Sequence, residues 1–205
     1  MRITILVAFL LFGTNILIAQ EKFKVEERDT DYWMIIFDFV DESGNLIRTL
    51  DTSKYFPISL NDESYNYFAI VQFREIFGLY AIDANENILF EVYNRSYGMP
   101  EPDYLREDRI RIIDDEEKIG YANGRGEIII KPQFEFATSF HNGKAIIGKG
   151  CEKICLDKNV KEADSIRHLI DCDEYGYINQ EGEIIDWYEC TLEEMIEEIK
   201  WKSDY

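Results

Sequence analysis

The stretch Ile119-Gly120-Tyr121-Ala122-Asn123-Gly124-Arg125-Gly126-Glu127-Ile128-Ile129-Ile130-Lys131-Pro132-Gln133-Phe134 decides how the rest of the chain is read. Two apolar runs flank a polar segment that begins with Asn123 and has Gly126 three places on. An Asn side chain at the head of a turn bonds the backbone two residues later. Gly126 supplies the positive φ that a type I turn closed by a G1 bulge requires. The stretch therefore reads as an antiparallel β-hairpin. A phosphate-cradling loop would open a helix after its glycines. Here Ile128-Ile129-Ile130 and Pro132 follow instead, so that reading fails.

The same pattern recurs outward in both directions. It is Phe39-Val40-Asp41-Glu42-Ser43-Gly44-Asn45-Leu46-Ile47 in a first copy and Ala81-Ile82-Asp83-Ala84-Asn85-Glu86-Asn87-Ile88-Leu89 in a second. A fourth copy reads Tyr177-Ile178-Asn179-Gln180-Glu181-Gly182-Glu183-Ile184-Ile185. The turns fall at 41–44, 83–86, 123–126 and 179–182, on Asp41 and Gly44, Asp83, Asn123 and Gly126, Asn179 and Gly182. Glu86 stands at the glycine place of the second copy, so Asn85 or Asn87 is expected to take the left-handed role. The heads of the turns are spaced by 42, 40 and 56 residues. The extra length of the last interval is expected as an insertion near 151–172.

The third copy, with its continuation through Phe140, Gly143 and Ala145, resembles a WG repeat. Tyr175-Gly176-Tyr177-Ile178-Asn179 matches the first half of that repeat, and Phe77-Gly78 is read as its aromatic-glycine start in the second copy. Asp38 replaces the glycine in the first copy, and Phe77, Ile119 and Tyr175 stand where the family has Trp. The resemblance implies a binding or scaffold module of exported bacterial proteins. It carries no catalytic residue to this chain.

A lone hairpin is unstable in water. Stacked hairpins bury shared apolar faces, and the end copies need covers. The expected fold is all-β: consecutive antiparallel β-hairpin repeats stacked into a curved array over 21–190, beginning with a strand at Trp33–Val40. A short C-terminal amphipathic helix at 191–202 follows. Thr191 and Glu194 have the spacing of a capping box. Leu192, Met195, Ile196 and Ile199 share one helical face, which is expected to lie over the last repeat.

Residues 1–20 read as a signal peptide, with Arg2, an apolar run from Ile3 to Ile18 and a cut beside Ala19 or Gln20. The apolar run is short for a membrane span. The expected location is therefore the periplasm, the cell surface or the extracellular space, with no integral membrane segment after signal removal. The formal charge is −19, and loss of Arg2 makes it one unit more negative. Such a surface repels phosphate backbones, which speaks against nucleic-acid partners.

Four cysteines, Cys151, Cys155, Cys172 and Cys190, form an even set in an exported chain and favour disulfides, with three pairings open. Zinc is the rival reading, but the tight second pair of a zinc ribbon is missing. His141 lies in a turn, and His168 in the insertion. A Cys172–His168 nucleophilic pair is weighed and set aside in favour of oxidation. Asp114-Asp115-Glu116-Glu117 reads as a solvated charge run. Asp83-Ala84-Asn85-Glu86-Asn87 opens like a calcium loop but lacks Gly at its sixth place and Glu at its twelfth, where Asn94 stands. Asn94-Arg95-Ser96 is a glycosylation sequon, relevant only to a eukaryotic secretory route. No catalytic, cofactor or metal site is expected. The leading function is a non-enzymatic exported module that binds an unknown protein or glycan. The alternative is a small secreted glycan hydrolase working through a carboxylate pair.

Overall fold

The computed structural model describes residues 21–29, 35–59, 66–96, 99–155 and 168–202, and leaves the side chains of 29, 57–59, 154, 155, 168 and 169 undescribed. The expected signal peptide and the start of the expected first strand lie outside these residues. The described residues form antiparallel sheets and one short helix, with no closed barrel among them. Three strands make the first sheet: β1 (Lys24–Asp29), β2 (Ile35–Val40) and β3 (Leu46–Thr49). Seven make the second: β4 (Tyr55–Ser59), β5 (Ala69–Phe73), β6 (Leu79–Ile82), β7 (Ile88–Val92), β8 (Ile110–Ile113), β9 (Ile119–Ala122) and β10 (Ile128–Phe134). Four make the third: β11 (Phe136–Ala137), β12 (Ala145–Cys155), β13 (His168–Ile178) and β14 (Ile184–Tyr188). Helix α1 spans Leu192–Ile199.

The expected hairpins are β2-β3, β6-β7, β9-β10 and β13-β14, and strand register adds a third strand to each. Lys24 faces Val40, Ala69 faces Ile82, Ile110 faces Ala122, and Ala145 faces Ile178, always just before the turn at 41, 83, 123 or 179. Each copy is thus a meander of β1-β2-β3, β5-β6-β7, β8-β9-β10 or β12-β13-β14. The chain then passes from the third strand of one copy to the first strand of the next. β4 pairs with β5, the end of β7 pairs with β8, and β11 pairs with β12.

This frame moves the start of the second copy. Phe37, Leu79, Ile119 and Tyr175 occupy one register position and are all buried. Phe77, 92% exposed, lies two residues before it in the tip between β5 and β6. Phe77-Gly78 is therefore not the aromatic-glycine start; Leu79-Tyr80 holds that place. The glycine that follows the buried position has a packing reason in two copies. A side-chain carbon at Gly120 would drive into the Ile130 carbonyl, and one at Gly176 into the Asp186 carbonyl.

Cores form between copies. Phe37 and Phe39 of the first pack with Ala69, Val71 and Ile82 of the second. Ile70, Leu79 and Ala81 meet Ile110, Ile112 and Ala122 of the third. Ile119 and Tyr121 meet Ala145, Ile147 and Ile178 of the fourth. Alternate residues of a strand point to opposite faces, so Ala69 faces backward and Ile70 forward. The last forward face, with Ile146 and Tyr175, is closed by Met195 of α1, only 1% exposed. The capping box is present: Thr191 Oγ1 accepts the Glu194 N–H, and the Glu194 carboxylate accepts the Thr191 N–H. The helix stops at Ile199, short of the expected 202, because Lys200 turns left-handed.

Candidate functional site

The sequence-marked turns share one geometry. Asp41 Oδ1 accepts the N–H groups of Ser43 and Asn45 at 2.8 Å each. Asp83, Asn123 and Asn179 do the same for the residues two and four places on. The fifth residue closes the ring in two complementary ways. Where the head is Asp, Asn45 or Asn87 donates to its second oxygen, at 2.9 Å. Where the head is Asn, it donates to Glu127 or Glu183, at 2.8 Å. Donor and acceptor have changed places, and the bond is kept. The bonds from Asn45 hold the Asp41 carboxyl below its ordinary range. The Asp83 carboxylate is thus taken up by its own turn.

Asp115, Glu116 and Glu117 are exposed, as a solvated run should be, and the run also has an ordered turn. Asp114 Oδ1 accepts the N–H groups of Glu116 and Lys118, making the same turn between β8 and β9. Glu117 takes the glycine place at φ 59. Glu86 likewise takes it in the second copy, at φ 66, rather than Asn85 or Asn87. Both left-handed glutamates reach a neighbouring part of the array. The half-buried Glu86 carboxylate accepts from Tyr55 Oη at 2.8 Å and meets Lys54 at 3.5 Å and Arg48 at 3.6 Å. Glu117 meets Lys153 of the fourth copy at 2.6 Å. Glu107, at φ 48, accepts the N–H groups of Asn142 and Gly143, which tie the β11–β12 turn containing His141 to the loop before β8.

The expected insertion is an extension of one hairpin. β12 and β13 have eleven residues each, where β8 and β9 of the preceding copy have four. Cys151 and Cys172 face each other across it and form a disulfide. That removes Cys172 from any pairing with His168 as a nucleophile. Cys155 and His168 pair through their backbones. Cys190 is reduced, and burial raises its thiol pKa. Gly148 leaves room for the bridge, since a side-chain carbon there would press on Cys172 Sγ.

Between the Asp114 turn and this hairpin lies a cleft of about 300 Å³, lined by Glu116, Glu117, Lys118, Glu135, Cys151, Glu152, Lys153 and Ile170. Two of its four acids, Glu117 and Glu135, are engaged, Glu117 by Lys153. Glu135 accepts the Cys151 N–H at 2.9 Å and meets Lys118 at 3.4 Å. The Cys151 N–H holds the Glu135 carboxyl low, with Lys118 adding to the effect. A catalytic acid needs the opposite shift. Glu91 has its pKa raised by burial, but it does not line this cleft. Among the described residues no cluster of His, Cys, Asp and Glu could hold a metal ion.

A buried pair absent from the sequence reading pins the long connection before β8. Asp103, 3% exposed, takes Arg111 at 2.6 and 3.1 Å, while Arg111 Nη1 reaches the Ala137 carbonyl of β11. Arg111 sits where Ile70 and Ile146 sit in their copies, facing forward. Its only signal in the sequence is a charge in an apolar strand, Ile110-Arg111-Ile112.

Residues 119–150 match the model of a family described as WG containing repeat. No curated protein matches the chain. Among the described residues no helix is long and apolar enough to cross a membrane.

Proposed function

We propose that the chain is an exported, non-enzymatic repeat module that binds or scaffolds another macromolecule. The observation that carries this reading is the use made of the polar residues that recur in the repeat. Asp41, Asp83, Asn123, Asn179, Glu86 and Glu117 all close turns or join neighbouring parts of the array. The match over 119–150 supports a repeat module. The signal-like residues 1–20 and the Cys151–Cys172 bridge support export into an oxidising compartment, where disulfides persist. The carboxylate-pair hydrolase has less support, since Glu135 in the cleft is held low and paired with Lys118.

The test uses purified mature protein. It should show no turnover on a broad panel of glycans, peptides and esters, and should retain defined partners from an envelope fraction reproducibly. Sustained turnover lost on Glu135→Gln would favour the hydrolase and sink this reading.

A further inference from the structure

A repeat array must manage its sheet edges, because an unpaired strand templates another chain. β1 bears Lys24, Glu26, Glu27 and Arg28, β3 bears Arg48, β4 bears Pro57, and β10 bears Lys131 and Pro132. β11 has only two residues. Charge, proline and shortness are the usual guards of an edge. β14, Ile184-Ile185-Asp186-Trp187-Tyr188, has no Lys, Arg or Pro over five residues.

Among the described residues β3 and β10 are likewise unpaired on their outer edges, but each carries one of these guards. In the first three copies the chain leaving the third strand pairs with the first strand of the next copy. After β14 the chain enters α1 instead. Helix α1 covers the core and packs against β13. Among the described residues no strand pairs with the outer edge of β14. Ile184 and Ile185 stand 47% and 49% exposed on it. The counterparts of Ile184, Leu46, Ile88 and Ile128, are exposed to a similar degree, so an outward aliphatic residue there is a constant of the repeat, whereas Ile47 and Leu89, the counterparts of Ile185 in the first two copies, are partly buried against their cores.

Charge says what fits. Glu181, Glu183 and Asp186 flank the two isoleucines, and the chain has 41 acids against 22 Lys and Arg. A second acidic copy would be repelled. We propose that the edge of β14 takes an extended aliphatic segment of another protein, rich in Lys or Arg, as an added strand. Main-chain hydrogen bonds give affinity in this mode, and alternate side chains give specificity. The inference rests on the binding-module reading and gives it a site.

The experiment measures binding of the mature protein to a labelled ten-residue peptide of alternating Ile and Lys, by fluorescence anisotropy. Controls carry Ser for Ile, Glu for Lys, or N-methyl groups on alternate amides. The Ile/Lys peptide should bind at least tenfold more tightly than each control. Ile185→Lys should weaken it at least tenfold while the melting temperature stays within about 2 °C, and Leu46→Lys should leave it unchanged. Equal binding of the N-methylated or Ser/Lys peptide overturns strand addition. Undiminished binding to Ile185→Lys, or failure of the Ile/Lys peptide to bind, overturns the site. In either case partner capture from the envelope fraction, repeated with Ile185→Lys, decides the broader reading separately.

Discussion

At the residue scale, the turn heads make a testable pair rule. Asn123 is buried and donates to Glu127. Asn123→Asp places two carboxylates together and should cost about 1–2 kcal/mol, the value of a lost hydrogen bond with an unsatisfied partner. Adding Glu127→Asn recreates the arrangement of Asp41 with Asn45 and should restore most of the loss. Urea midpoints of the two variants check this. Glu86 sets strain against bonding. A left-handed non-glycine residue costs about 1–2 kcal/mol, and hydrogen bonds to a charged group return about 1.5–3 kcal/mol each. Glu86→Gly removes both the strain and the bonds, whereas Glu86→Ala removes only the bonds. The expected order of stability is wild type, then glycine, then alanine, read from melting temperatures.

Titration at this scale has a definite sign. Asp38 is held low chiefly by its bond from Arg28, helped by Thr49, and Glu135 is held low by the Cys151 N–H. Groups with depressed folded pKa stabilise above their unfolded values and lose that contribution as pH falls through the folded values. The melting temperature should therefore drop below about pH 4, the ordinary carboxylate range. Asp38→Asn should flatten that acid limb. Glu91, raised by burial, has the opposite sign: its ionisation opposes folding as pH rises, so Glu91→Gln should gain stability at neutral pH and lose the advantage in acid. Thermal melts across pH on the three proteins check both signs.

At the element scale, the long hairpin is the variable part of an otherwise regular unit. In the preceding copy the same two strands are joined by the five-residue turn 114–118, and here they run on to eleven residues with a bridge across them. The bridged cysteines are 21 residues apart, and closing such a loop constrains the unfolded chain by about 3 kcal/mol in the entropic account. Cys151→Ala with Cys172→Ala should lower stability by up to about that amount, while Cys190→Ser should change it little. Non-reducing and reducing melts give the comparison. An even cysteine count and a signal-like start pointed to a bridge, but which partners meet depends on strand register. The misplaced Phe77-Gly78 start has the same cause. A two-letter motif is locally plausible in several frames, and only pairing of Ala69 with Ile82 chooses among them.

At the scale of the whole molecule, the first and last described copies differ. The first copy carries a polar cluster in which Asp38 accepts from Arg28 and from Thr49 at 2.6 Å. The last copy is covered by α1, through Met195, Leu192, Ile196 and Ile199. A repeat array needs such caps to stay soluble. A chain ending at Glu189 should expose Ile146 and Tyr175, bind a hydrophobic dye and aggregate, while Thr191→Ala should cost only about 1 kcal/mol for the lost cap. Sedimentation and dye fluorescence distinguish the two outcomes.

The amino-acid sequence by itself determined the antiparallel all-β class, the four turn heads and the capped helix. Each of these rests on interactions within a few residues: an Asp or Asn that bonds the next four places, a glycine or its substitute at the bulge, a Thr and Glu three apart. Only the tertiary structure decided the three-stranded unit, the handover of a strand from copy to copy, the Cys151–Cys172 bridge, the Asp103–Arg111 pair and the cross-links through Glu86 and Glu117. Those depend on which residues face each other across strands distant in sequence. Shifting a strand by one place would turn every side chain to the other face, and the burial of whole faces between successive copies is what selects the register.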